Sequence, residues 1–277
     1  MKRYQEGALF LENHDTMNLK DIKKSAFDKL VTEKPDTAAM LMKNWKRYEA
    51  CIQFLSRTDA LKKDRRILDY GCGHPVFAFL LIELRFEVVP YEPFAEKDEM
   101  RTAELLGIQD KVRTTLNAGE VYDLVLMIDV IEHLSIIKPV MMDVMSKVAV
   151  NGDLFISTPN VLRAEMWLSF VSRQTGHPQL LEHFLNSDNN YTHHQREFTM
   201  KELVRTATHF GFKTVSTACK DTRPDLKDLN KLREVKGMPP KPLRTGYGLI
   251  KGVLQRFLIF LFPGRMNNNL LLLAKKL

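Results

Sequence analysis

The stretch Arg66–Leu81, RILDYGCGHPVFAFLL, constrains this chain more than any other. Ile67 and Leu68 form an apolar run that ends in an acidic residue, Asp69. The small-residue turn Gly71-Cys72-Gly73 follows, and then an apolar segment opened by Pro75. This order predicts a buried strand, a tight turn and a helix with proline in its first turn. Glycines at alternate positions let a ligand approach the main chain where a Cβ would clash. Asp69 then stands at the carboxyl end of the strand, where open α/β sheets bind their ligands.

The segments downstream repeat the alternation. Glu87–Tyr91 (EVVPY) predicts a second strand ending at Glu92-Pro93, with a helix over Ala95–Leu106. A carboxylate about 20 residues after the glycine turn is where Rossmann-type sites bind ribose hydroxyls; capping the following helix is the other role open to Glu92. Val112–Leu116 predicts a short third strand, and the continuous apolar run Tyr122–Asp129 a central parallel one. Ile136–Val150 predicts a helix stopped by Asn151-Gly152, and Asp153–Thr158 a fifth strand. Four βα units in this order specify a doubly wound, mostly parallel α/β sheet. Thr199 and Glu202 make a capping box for a helix over Met200–Phe210, stopped by Gly211. Phe212–Cys219 alternates as a strand, and Asn269–Ala274 predicts a last one.

Charge divides the chain. Residues 67–160 hold 7 basic and 15 acidic residues, a net of −8, whereas 1–66 carry +5 and 161–277 carry +10. Basic flanks around an acidic centre point to an anionic acceptor, nucleic acid or an acidic membrane surface, or to a solvated basic face. The three cysteines, Cys51, Cys72 and Cys219, form neither a metal motif nor a disulfide framework, so a cytoplasmic setting is expected. The N-terminus lacks the apolar stretch of a signal peptide, and no uncharged apolar run is long enough to cross a bilayer.

The turn resembles motif I of the S-adenosylmethionine-dependent, Rossmann-like methyltransferases, acidic-x-Gly-x-Gly-x-Gly, through Asp69, Gly71 and Gly73, with Pro75 in place of the third glycine. Asp129-Val-Ile-Glu132-His133-Leu134 resembles the family's segment after the fourth strand. The run His194-Gln-Arg-Glu-Phe-Thr199 resembles a later one. The resemblance implies a seven-stranded sheet whose final strand pairs antiparallel with the sixth. It also implies S-adenosylmethionine as cofactor, bound by Asp69, Gly71, Cys72, Gly73, Glu92, Asn117 and Asp129. Residues 16–31 and 36–61 have helical periodicity, with Asp36 as a cap of the second and Met40, Trp45, Tyr48, Ile52 and Leu55 as its apolar stripe. By the resemblance residues 1–64 would form an N-terminal helical lid, packing alone being the other reading, 65–219 the methyltransferase domain with an acceptor insertion at 161–198, and 220–277 a basic linker, amphipathic helix and final strand.

An alcohol acceptor needs its proton removed by a base, or by a metal that lowers its pKa. His133, His194 and Asp129 are the candidate catalytic groups, since histidine titrates near neutrality. Asp129, Glu132 and His133 have i, i+3, i+4 spacing, which puts them on one side of a helical turn. With His194 they are similar to the metal site of the small-RNA 3′-terminal 2′-O-methyltransferases and to some ubiquinone-biosynthesis O-methyltransferases. Leu249–Phe262 (LIKGVLQRFLIFLF) reads either as a core helix or as an interfacial one, with Lys251, Arg256 and Arg265 toward anionic headgroups. Residues 220–277 carry 13 basic and 4 acidic residues, a net of +9. The arrangement resembles bacterial methyltransferases of polysaccharide and lipid-linked glycan pathways.

The expectation is therefore O-methylation of a glycan or lipid-linked acceptor, peripheral on the inner face of a membrane. RNA 2′-O-methylation is the alternative, although no aromatic-rich basic stretch for base stacking is present. A non-catalytic cofactor-binding scaffold is a third, prompted by Pro75.

Overall fold

The computed structural model describes residues 18–171, 194–224, 226–239, 247–262 and 264–277. Residues 172–193 of the expected acceptor insertion and 240–246 of the expected linker lie outside them. Arg66–Tyr70 (β1), Glu87–Tyr91 (β2), Tyr122–Ile128 (β3), Val148–Pro159 (β4), Phe212–Lys220 (β5) and Asn269–Lys276 (β6) form one sheet in the order β2-β1-β3-β4-β6-β5. Pairing is parallel across β2, β1, β3 and β4; β6 is antiparallel to both β4 and β5, as expected of a last strand that returns to the sheet.

Helices cover both faces because the inner strands are apolar on both sides. Leu19–Leu30 (α1), Pro35–Arg57 (α2), Val76–Glu83 (α3) and Lys97–Leu106 (α4) pack on one face. Ile137–Lys147 (α5) and Met200–His209 (α7) pack on the other. Ala164–Val171 (α6), Leu226–Val235 (α8) and Tyr247–Leu261 (α9) complete the described helices. The two leading helices share the sheet's core. Phe54 of α2 packs on Phe155 of β4 with ring centroids 5.8 Å apart, and Tyr48 on Phe77 of α3 at 5.3 Å.

Four local expectations are corrected. Pro35 and not Asp36 opens α2, with Lys34 at the N-cap; proline's fixed φ suits that position. Val112–Leu116 forms no strand: only Arg113 bridges, to Tyr91 at the sheet edge, so six strands are present among the described residues. Asn151-Gly152 does not stop a helix. The β-branched Val148 already leaves α5 for β4, and the register jumps from Tyr122↔Val148 to Leu124↔Asp153, leaving Asn-Gly as an irregularity within the strand. A Cβ on Gly152 would lie 2.9 Å from the Ala149 carbonyl, so the close approach requires glycine there. Finally, the polar stretch expected as a linker holds α8, which packs on α2; its Lys231 lies over the Phe27 ring and its Asp228 pairs with Lys23 at 2.8 Å.

Candidate active site

The glycine turn joins β1 to α3 at the carboxyl edge of the sheet. Gly71 (φ +74°) and Cys72 both donate their N–H to the Tyr91 carbonyl, at 2.8 and 3.1 Å, which pins the turn against the end of β2. Glu92 follows directly. Its two carboxylate oxygens accept from Gly73 N–H at 2.9 Å and Phe94 N–H at 3.2 Å. The helix after it is capped instead by Glu96, whose N–H donates to Glu99, so the capping role falls away from Glu92. A Cβ on Gly71 would lie 2.9 Å from Val130, whereas the same position on Gly73 (φ +49°) faces open space. Pro75, in the third glycine's place, is the N-cap of α3.

Asp69 is 3% exposed. Burial, reinforced by the neighbouring Glu92 charge, pushes its carboxyl up to about 7. Burial also pushes the Cys72 thiol far above its ordinary value.

At the end of β3, Asp129 adopts the left-handed conformation (φ +55°) and donates its N–H to the Ser157 carbonyl at 2.9 Å. Its Oδ2 is ion-paired with Arg47 of α2. Asp129 Oδ1 and Arg47 Nε are buried without hydrogen-bond partners. Buried polar atoms are rarely left so.

The turn Ile131–His133 carries the next group. Glu132 is fully buried; its Oε2 accepts from the Thr158 hydroxyl at 2.9 Å, and its Oε1 has no partner. Burial holds this carboxyl above the ordinary range, against the opposing hydrogen bonds and the His194 and Arg47 charges. The Glu132 carbonyl accepts from Gln195 and Arg196 N–H at 2.7 and 3.2 Å. That clamp brings His194 onto His133, with ring centroids 5.0 Å apart and planes at 80°. His194 Nδ1 lies 3.0 Å from Glu197 Oε1, and Glu197 is in turn paired with Arg163. One ligand atom each from Glu132, His133 and His194 falls within 4.8 Å of the others. Asp129 is not in this group; Arg47 engages it.

The structure thus gathers Asp69, Gly71, Cys72, Gly73 and Glu92 at one end of the mouth, and Asp129, Glu132, His133 and His194 at the other. Asn117 does not join them. Its carbonyl accepts from Lys147 at the end of α5, and its N–H points to Glu120, which pairs with Arg66 at the start of β1. With no third strand to carry the chain upward, the residue beside Glu92 is Arg113, whose carbonyl accepts the Glu92 N–H at 2.9 Å. Sequence reasoning missed Arg47, Thr158 and Glu197. An arginine between Trp45 and Tyr48 of the buried stripe, and a carboxylate three residues after His194, were the available signals.

A doubly wound sheet with a glycine turn, an acidic second-strand end and a polar mouth beyond the central strand defines a Rossmann-like nucleotide-binding enzyme. The chain belongs to the methyltransferase domain family, whose model matches residues 43–217. It is an S-adenosylmethionine-dependent, class I methyltransferase. The structure is similar to that of 1,6-didemethyltoxoflavin-N1-methyltransferase from Burkholderia thailandensis, at 11% identity and a TM-score of 0.51, covering 95% of this chain and 92% of that one. It is also similar to a methyltransferase from Archaeoglobus fulgidus, at 18% identity and 0.49, covering 83% and 94%. No curated protein sequence matches the chain. Among the described residues, no helix is long and apolar enough to cross a membrane.

Proposed function

We propose that the chain methylates a hydroxyl of a glycan or lipid-linked acceptor presented near a membrane. The observation that carries this reading is the His133–His194 pair beside the end of β3, with His194 held by Glu197. A hydroxyl must lose its proton as its oxygen gains a methyl group, and an imidazole near neutral pKa is suited to take it. Glu197 would orient the His194 ring.

When bound, S-adenosylmethionine supplies an activated methyl group on a sulfonium, so the chain's own task is chiefly alignment. Glu92, fixed by Gly73 and Phe94, would accept from the ribose hydroxyls. Asp69 would face the cationic amino-acid end, and the unpartnered Nε of Arg47 would meet its carboxylate. The basic charge of residues 161–277, net +10, supports an anionic setting for the acceptor.

A second reading is a divalent ion on Glu132, His133 and His194, favoured by the unpartnered Oε1 of buried Glu132 and by Glu197 behind His194. Metal-bound histidines commonly donate their other ring N–H to a carboxylate in this way. Such an ion would lower the pKa of a coordinated hydroxyl. An RNA 2′-hydroxyl acceptor belongs with this reading.

Transfer of labelled methyl to lipid, glycan and RNA fractions, with and without excess chelator, tests both. Label in the lipid or glycan fraction that survives chelation supports the first. Label in RNA that chelation abolishes supports the second. Label in none of the three rejects both.

A further inference from the structure

Helix α9 has its sides reversed relative to an ordinary surface helix. Ile250, Val253, Leu254, Phe257 and Phe260 recur at helical spacing and are 58, 59, 45, 55 and 79% exposed, whereas Gln255 on the inner side is 6% exposed. Trp167, on the neighbouring α6, adds a further face that is 47% exposed. Large apolar side chains scattered singly over a surface need no explanation, but a continuous stripe of them marks an interaction site.

We infer that this stripe is an interfacial anchor that lies in the surface of an anionic lipid leaflet. Charge selects the occupant. Lys251 and Arg256 are the only charged residues of α9, and residues 220–277 carry a net +9. Anionic headgroups complement that charge, whereas a second copy packed face to face would bring two such segments together. The stripe is also convex, on one short helix, so it would submerge in a headgroup layer and does not form a groove for a peptide.

The anchor is tied to the catalytic edge. Asn160, at the end of β4, donates to the carbonyls of Arg265 and Asn267, both at 2.7 Å, and Ala164 N–H donates to Met266 at 3.0 Å. Two residues before Asn160, Thr158 holds Glu132. A leaflet bound through α9 therefore sits on the side of the sheet where the mouth opens. The inference goes beyond the acceptor reading and does not depend on it.

The test is co-sedimentation of the full chain with vesicles of phosphatidylglycerol and phosphatidylcholine, or of phosphatidylcholine alone. Wild-type protein should pellet with the anionic vesicles. Trp167 emission should shift to the blue as it does, while Trp45, 3% exposed, stays silent. Phe257→Asp with Phe260→Asp should weaken binding at least about 10-fold. Arg256→Glu should weaken it on anionic vesicles, and Val150→Asp, at a residue 83% exposed and remote from α9, should not. Calorimetric binding of S-adenosylmethionine should be unchanged throughout, which separates this result from a failure of the active-site reading. Absence of wild-type binding to anionic vesicles overturns the proposal. So does undiminished binding by the double variant, or a dimer in sedimentation velocity that the double variant dissolves without any vesicle binding.

Discussion

Arg47, on the second helix of the chain, is ion-paired with Asp129 at the carboxyl end of β3. The pair ties the second helix of the chain to the carboxyl edge of the sheet, between the glycine turn and the His133–His194 group in the chain order of the strands. Arg47→Met should weaken S-adenosylmethionine binding by about 10-fold or more, each factor of 10 being about 1.4 kcal/mol. Calorimetry on the variant checks this. Donor affinity equal to wild type would leave Arg47 a packing residue only.

Asp69 gives donor binding a pH signature. Its carboxyl, pushed up to about 7 by burial and by Glu92, holds its proton in the free protein below that pH. The unfolded chain would ionise near the ordinary value of 3.8, so this group lowers stability as pH rises from about 4 toward 7. A cationic donor favours the ionised form, so affinity should rise with pH up to about 7 and then level off. Asp69→Asn should flatten that profile and raise the melting temperature at pH 8. A wild-type profile already flat between pH 5 and 8 removes Asp69 from the donor site.

The two glycines of the turn should fail differently. Gly71→Ala meets Val130 at 2.9 Å and carries a left-handed φ, so a loss of about 2–3 kcal/mol in stability is expected in denaturant melts. Gly73→Ala meets nothing within 4 Å, so its stability cost is only the backbone strain, about 1 kcal/mol. Its methyl group would project into the open space beside Glu92 and lower donor affinity more than stability. Equal losses in both assays for both variants would mean that the turn is structural throughout.

The catalytic group can be dissected through Glu197, which touches His194 but lies behind it. Glu197→Gln keeps the shape and removes the charge behind His194, so kcat should fall roughly 10-fold with KM little changed. Thermal melts and donor affinity should be close to wild type. An unchanged kcat would assign Glu197 to the Arg163 ion pair alone.

Much of this architecture is local and therefore readable from sequence. The spacing of Asp69, Gly71, Gly73 and Glu92 is fixed by one strand, one turn and the next strand, and the structure puts all four together. Asn269–Ala274 is apolar enough to show as a last strand without reference to its partners. What escaped depends on distant partners. Arg47 carries no signal of its ion pair in the sequence because its partner Asp129 is far away along the chain. Val112–Leu116 has strand-like composition but gains only one bridge at the sheet edge, and Asn117 went astray with it. The polar segment holding α8 has Leu226, Leu229, Leu232 and Val235 at helical spacing, yet its stability comes from packing on α2.

The most direct measurement is a calorimetric titration of S-adenosylmethionine into wild-type and Glu92→Ala protein, with melting temperatures recorded for each. If Glu92 grips the donor's sugar, affinity falls at least about 10-fold while the variant still melts cooperatively. Identical affinity in a folded variant would contradict that role, and with it the orientation assigned to everything else in the mouth.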